Sequence, residues 1–407
     1  MERVIYLDLY GAIPHVSPDD DMAWQLYQTS AVARIRDISL SSTPSVFAPH
    51  GVALSRFQHS VAVGFLARKL CDWRPTLRGN RDTLIAAGIC HDLGSPPFSH
   101  IAEIFSYSLT GKTHEQQTAR VLRKGGEVAK VLEAYGVDPE EVVQLITGSE
   151  EHPLAPLIAG SLDLDNISNS QDLLRSLGYR DELLYHPLRL VEAFRFQQGR
   201  LLLDSGYLKE LLGWAEARRK LYDLLYSEPN LSASTMLYRA LEFAFDAGEL
   251  DESFFKFSEA DALHFLRFEA TPPARRLVAS EYQWKHYPRV YERLNREQDM
   301  RIVSLYDDWR LRKEFADRLA SELGVKHEEL VLYVGRDRGE KAITLPFIGD
   351  KAEAAAALFS GRQGVQRLSI FAHKRHQEEL TTERVGEVLE EALLDLPEAE
   401  EVGHVFS

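Results

Sequence analysis

The chain carries Arg56-Phe57-Gln58-His59-Ser60, then His91-Asp92-Leu93-Gly94, Pro97-Phe98-Ser99-His100, His114-Glu115 and Asp163-Leu164-Asp165. Neutral imidazole and carboxylate together are ligands for Mn²⁺, Fe²⁺, Zn²⁺ or, less well, Mg²⁺. The His91-Asp92 pair closes the apolar run Leu84–Cys90, where a carboxylate is costly unless it is paired or bound to a metal. Asp92 and Asp165, converging without a cation, would repel each other and push one carboxyl upward in pKa. One divalent metal removes that conflict and makes a bound water acidic enough to attack phosphorus. His59 falls at the start of one helix, His91-Asp92 at the end of the next and Asp165 inside a later one. Packed side by side, three such helices aim His59, His91, Asp92 and Asp165 at one point, a usual place for metal sites in helical bundles.

Outward from these residues the pattern stays helical from about residue 20 to 300. Ser60–Cys71, Asp82–His91, His114–Gly125, Asp138–Leu145 and Leu190–Tyr226 carry apolar residues at three- and four-residue spacings. Pro96-Pro97 stops the second of these. After about residue 325 the character changes. Glu329–Gly335, Ala342–Ile348 and Arg367–His373 read as strands, and Ala352–Leu358 and Thr382–Leu394 as helices. The expectation is a mainly α protein, with an all-helical core over residues 1–320 and a small mixed α/β module over 325–407.

Composition narrows the function classes. Of 407 residues, 47 are basic and 62 acidic, a net charge of −15. Such a balance disfavours generic duplex binding, which depends on neutralising phosphates, but a local arginine cluster or a metal can still hold a small phosphorylated substrate. No apolar run is long enough to span a bilayer, and the N-terminus lacks a basic stretch followed by an apolar core. Cys71 and Cys90 both sit in apolar helical pattern and read as reduced core thiols, which suits a cytoplasmic protein. The only low-complexity stretches are Ala354–Ala357 and the acidic Glu398–Glu401.

The order His…His-Asp…Asp resembles the signature of the HD superfamily. Arg-Phe-x-His-Ser and His-Asp-x-Gly-x-x-Pro-Phe-Ser-His-x-x-Glu resemble its deoxynucleoside triphosphate triphosphohydrolase branch, which takes in dGTPase-like and SAM-and-HD-domain enzymes. The likeness extends to Arg34-Ile-Arg36 with Phe47, to Arg218-x-x-x-Tyr222-x-x-x-Tyr226, to Met236–Ala240 with Gly248-Glu-Leu, and to Ser258–Asp261. It covers most of residues 30–300 and is weak beyond 325. It implies an HD-domain core and one divalent metal per chain, held by His59, His91, Asp92 and Asp165. His100 and His114 would lie near the phosphates as proton donor or electrostatic partner. Arg56 and Arg218 would grip phosphate oxygens, with Tyr222 and Tyr226 along the pocket wall. The implied reaction attacks the α-phosphorus of a nucleotide and releases nucleoside and triphosphate. Homo-oligomeric assembly is implied by the resemblance alone.

Departures from that pattern point the other way at the sugar end. Family members commonly read His-Asp-x-Gly-His where this chain has Ser95. The tyrosine and later aspartate that follow the ligand aspartate are here Asn169 and Leu173, and no sugar-contacting glutamine stands near Ser39–Leu40. A different HD phosphohydrolase (a nucleotidase or phosphodiesterase), a di-iron HD oxygenase and a nucleotide-binding regulatory module are therefore alternatives. Ser95 argues against the oxygenase, which needs further inward histidines. Asp163 reads as an acid that caps a helix or supports the ligands. His50, His152, His186, His264, His286, His327 and His404 have no partner pattern, and His373–His376 reads as a solvated strand end.

Overall fold

Ser55 opens the first helix that matters for function. Its hydroxyl accepts from the Gln58 amide while the Gln58 side chain returns to the Ser55 amide, a capping box that starts Arg56–Trp73 where the sequence turns apolar. Val61, Ala62, Val63, Leu66, Ala67 and Leu70 are all buried along this helix. Arg81–Cys90 packs against it with backbones in contact. A Cβ on Gly88 would lie 3.0 Å from the Gly64 amide nitrogen, so the glycine pair is what lets these helices approach.

A computed structural model describes residues 3–15, 20–48, 54–179, 183–336 and 339–397. His50, His404 and the acidic run Glu398–Glu401 lie outside them. The fold is mainly helical, about 57%, with 18 α-helices among the described residues. Leu164–Ser176 is capped by Asp163, whose carboxylate accepts from the Asn166 amide at 2.7 Å. It lies against both Arg56–Trp73 and Leu208–Leu225, completing one apolar core. A second core gathers around Glu228–Asp246, Glu259–Phe268 and Pro272–Tyr282. A third lies between an antiparallel sheet and the helices Trp309–Leu323 and Thr382–Leu394. In that sheet Gln366–Ala372 is central, flanked by Arg289–Asn295 and Leu330–Arg336.

Four expectations need correction. The pattern read as one helix over Leu190–Tyr226 is interrupted by a hairpin, Phe194–Gln197 with Arg200–Asp204, and the helix begins only at Leu208. Gln198 and Gly199 both have positive φ, 51° and 73°, the turn geometry that matches strand twist. A second hairpin, Val4–Leu7 with Gly11–Pro14, precedes the helices, so the core is not all-helical. Within Ala342–Ile348 only Phe347–Ile348 is strand, and it pairs in parallel with Leu203–Asp204 of the first hairpin. The C-terminal strands Leu330–Arg336 and Gln366–Ala372, and the helices Ala352–Leu358 and Thr382–Leu394, stand close to where the pattern puts them. The His373–His376 run is not simply solvated, because Arg375 and His376 both clasp Glu329. No helix among the described residues is long and apolar enough to cross a membrane.

Candidate functional site

The Gly64–Gly88 approach brings His59 and His91 side by side, with ring centroids 5.2 Å apart. His91 Nδ1 lies 2.9 Å from the Gly88 carbonyl. That contact assigns the proton to Nδ1 and leaves a lone pair on Nε2. His91 Nε2 is buried and makes no hydrogen bond among the described residues. His59 Nε2 stands 2.9 Å from Asp165 Oδ1. Ligand atoms of His59, His91 and Asp165 all lie within 4.8 Å of one another. An orphaned, buried imidazole nitrogen beside a second imidazole and a carboxylate is what a divalent metal fits.

Asp92 lies beside this cluster. Its Oδ2 is 3.4 Å from His91 Nε2, and its Oδ1 pairs with Arg56 Nη1 at 2.6 Å. Burial would raise the Asp92 carboxyl, but Arg56, His91 and His59 hold it well below the usual carboxylate range. Arg56 is itself buried, and its Nε donates to Ser99 Oγ at 2.9 Å. Ser99 and Phe98 have φ of 50° and 65°, a costly conformation for non-glycine residues, held at the entrance to His100. Burial and the neighbouring Asp165 push Asp163 up to about 6.

His100 and His114 converge on one carboxylate that sequence reasoning left without a role. Glu103 Oε2 lies 3.1 Å from His100 Nδ1, and Oε1 lies 3.0 Å from His114 Nδ1. Glu103 shares a helix face with His100 three residues earlier, a spacing that could have flagged the pair. Burial disfavours a charged His114, but the bonds to Glu103, with help from Glu115, raise it to about 9. A turn clamped at both ends sets its distance from the His59, His91 and Asp165 cluster. Gly94 N donates to Thr118 Oγ1 at 2.8 Å, and Thr118 Oγ1 donates to the His91 carbonyl at 3.1 Å. Arg34 steadies the same turn by donating to the Leu93 and Ser95 carbonyls at 2.8 and 2.7 Å.

Many of these groups, though neither His59 nor Glu103, open onto a cavity of about 590 Å³, within the range of ligand-binding clefts. Arg56, His91, Asp92, His100, His114, Asp165, Arg218, Tyr222 and Tyr226 line it. Arg218 Nη1 donates to Asn166 Oδ1 at 3.1 Å, and its guanidinium lies over the Tyr222 ring. Tyr222 and Tyr226 stack at 5.9 Å, and the Tyr226 hydroxyl donates to the Arg336 carbonyl, tying this wall to the C-terminal sheet. Asn169 Nδ2 donates to Asp165 Oδ1 at 3.1 Å, and Leu173 lines the cavity as an apolar surface. Lys341, far outside the motifs, also reaches this cavity.

With that geometry in view, comparisons with known proteins agree on the architecture. The HD domain family model matches residues 56–176. The Bacillus subtilis protein YwfO is 26% identical over 281 residues, covering 66% of this chain and 61% of that protein. Deoxynucleoside triphosphate triphosphohydrolase SAMHD1 of cattle is 36% identical over 122 residues, covering 26% of this chain and 21% of that enzyme. The chain thus spans about three fifths of the first relative and a fifth of the second. A phosphohydrolase of Bacteroides thetaiotaomicron superposes with a TM-score of 0.67 at 16% identity, covering 92% of this chain and all of that one, a likeness of fold. The chain thus carries, over residues 56–176, a region that matches the HD domain family, and over that region it is similar to the SAMHD1 enzymes.

Proposed function

We propose that the chain is a metal-dependent phosphohydrolase acting on nucleotides, similar to the dNTP triphosphohydrolases but with altered sugar recognition. The observation that carries this reading is the convergence of His59, His91 and Asp165 within 4.8 Å beneath a cavity lined by Arg218, His100 and His114. His59, His91 and Asp165, with Asp92 beside them, would hold one divalent metal. When bound, such an ion supplies Lewis-acid charge and a water acidic enough to attack phosphorus.

The protein's own groups do the rest. Arg218 presents a planar fork to phosphate oxygens. Arg56 balances the Asp92 charge and reaches the same cavity. His114, kept cationic by Glu103, offers a proton to the departing oxygen, and His100 shares the same carboxylate. Tyr222 and Tyr226 give a flat wall for sugar or base. The likeness to the cattle enzyme, 36% identical over 122 residues, supports a nucleotide substrate. At the sugar end Asn169 is engaged with Asp165 and Leu173 offers no polar group, so discrimination between deoxy and ribo forms should be weak. Those same two residues favour, as a second reading, a different HD nucleotidase or phosphodiesterase. We also propose the division into an HD unit over residues 1–320 and a smaller α/β unit over 325–407, the latter sharing its sheet with Arg289–Asn295 and its core with Trp309–Leu323.

Metal analysis joined to product analysis tests this. The purified protein should hold about one transition metal per chain, lose it in His91→Ala, and release phosphate products from a panel of dNTPs, NTPs and monophosphates. Triphosphate release from one dNTP alone would overturn the reading of the sugar end. Full metal content with no turnover of any nucleotide would overturn the hydrolase reading.

A further inference from the structure

After the strand Leu330–Arg336 the chain leaves its own sheet and returns to the HD core. The Thr344 amide donates to Ser161 Oγ at 2.9 Å, and the Pro346 carbonyl accepts from the Leu203 amide at 2.9 Å. Ile343 and Leu345 are buried in the core that holds the metal-site helices, and Phe347–Ile348 adds a strand to the Phe194–Asp204 hairpin. This strap delivers Lys341 into the catalytic cavity from a fixed base. Lys341 Nζ donates to Asn166 Oδ1 at 3.2 Å and to the Gly160 carbonyl at 3.3 Å.

Arg218 Nη1 donates to the same Asn166 oxygen at 3.1 Å. Two cationic side chains from distant parts of the chain therefore meet on one amide oxygen at the cavity wall, with the buried Asp163 carboxylate close enough to feel the Lys341 charge. Asn166 directly follows Asp165 in the helix, so the pair of cations stands next to the proposed metal ligands. Charged donors gain more from an anionic oxygen than from an amide. Two adjacent positive groups beside the proposed metal ligands suit an extended polyphosphate better than a single phosphate.

We propose that Lys341 is a phosphate-binding residue of this site, acting with Arg218 on the polyphosphate of the substrate. The anion's identity rests on the phosphohydrolase reading above; the cation pair itself does not. Substrate affinity then depends on a residue outside the HD domain, carried by the C-terminal part of the chain.

The test uses the full chain and inorganic triphosphate as probe, with calorimetric binding, melting temperature and steady-state kinetics on nucleotides. Losing a charge-assisted hydrogen bond weakens binding by about tenfold or more. In Lys341→Ala and Lys341→Gln, the Kd for triphosphate and the KM should rise by that factor, with kcat and melting temperature little changed. Lys341→Arg should recover most of the loss. The effect should shrink as salt rises. Triphosphate binding in Lys341→Ala equal to that of the natural protein overturns the assignment, as does absence of triphosphate binding to the natural protein. Equal loss in the alanine and arginine variants, with a lowered melting temperature, would make Lys341 structural and also overturn it. Lys341-dependent triphosphate binding without turnover of any nucleotide would leave Lys341 in place and refute the hydrolase reading instead.

Discussion

His114 holds its proton past neutrality because Glu103 meets it at 3.0 Å inside a largely buried pocket. A folded pKa raised from 6.5 to about 9 contributes stability that is complete below 6.5 and is lost as pH rises through about 9. Glu103→Gln removes the charge that sustains it. We expect thermal stability to decline between pH 6.5 and 9 in the natural protein, and that slope to flatten in the variant. The alkaline limb of the activity profile should move from near 9 toward 6.5. Matching profiles in both proteins would separate Glu103 from His114. The histidines themselves were legible in the sequence, because motif order named them. The carboxylate joining them was only half legible: its place in the motif was plain, but the ring nitrogens it meets are set by how His114, on another helix, folds back toward it.

At the scale of elements, the site depends on backbone approach rather than on ligand identity alone. Gly94 sits where a Cβ would lie 2.2 Å from the His114 carbonyl oxygen and 2.3 Å from the Thr118 amide nitrogen. No side chain fits there without moving the His114–Val121 helix off the His91-Asp92 turn. Gly94→Ala should therefore displace His114 and lower activity by tenfold or more, while any bound metal is kept because His59 and Asp165 lie on other helices and His91 is anchored to the Gly88 carbonyl. An alanine variant with natural activity would show that the turn adapts. The Asp163 cap was readable from chemistry close in sequence, whereas the Ser55–Gln58 capping box starts its helix ahead of the periodic run that begins at Ser60. The Phe194–Asp204 hairpin was not, because its apolar residues also satisfy helical spacing and only the positive φ at Gln198-Gly199 separates the two.

Across the whole molecule, a buried charge network joins the Glu228–Asp246 helix to the Trp309–Leu323 helix, which packs on the sheet of Leu330–Arg336 and Gln366–Ala372. Glu242 on the Glu228–Asp246 helix accepts from Arg239 at 2.8 Å and from Arg312, on the Trp309–Leu323 helix, at 3.3 Å. Burial pushes Glu242 up to about 7 against the pull of Arg239. Removing the shared carboxylate leaves two buried guanidiniums short of a partner. Glu242→Ala should cost on the order of 3–5 kcal/mol in denaturant unfolding. Glu216→Ala, which breaks an exposed pair with Arg219, should cost less than about 1 kcal/mol. Similar small losses in both would mean that the network carries no net stability.

Sequence alone determined the helical class, the ligand types and the motif order, since these follow from residue chemistry and short-range spacing. His59, His91 and Asp165 could be nominated as metal ligands because their types and neighbours suffice for that. Their meeting within 4.8 Å depends on the glycine contact between two helices, which is a fact of packing. The engagement of Arg56 with Asp92, the sharing of Glu103 by two histidines, and the return of Lys341 to the HD core were decided only by tertiary structure. The Arg56 and Lys341 contacts join residues far apart in sequence, and His114 reaches Glu103 from a separate helix, where no local periodicity reports which side chains will face one another.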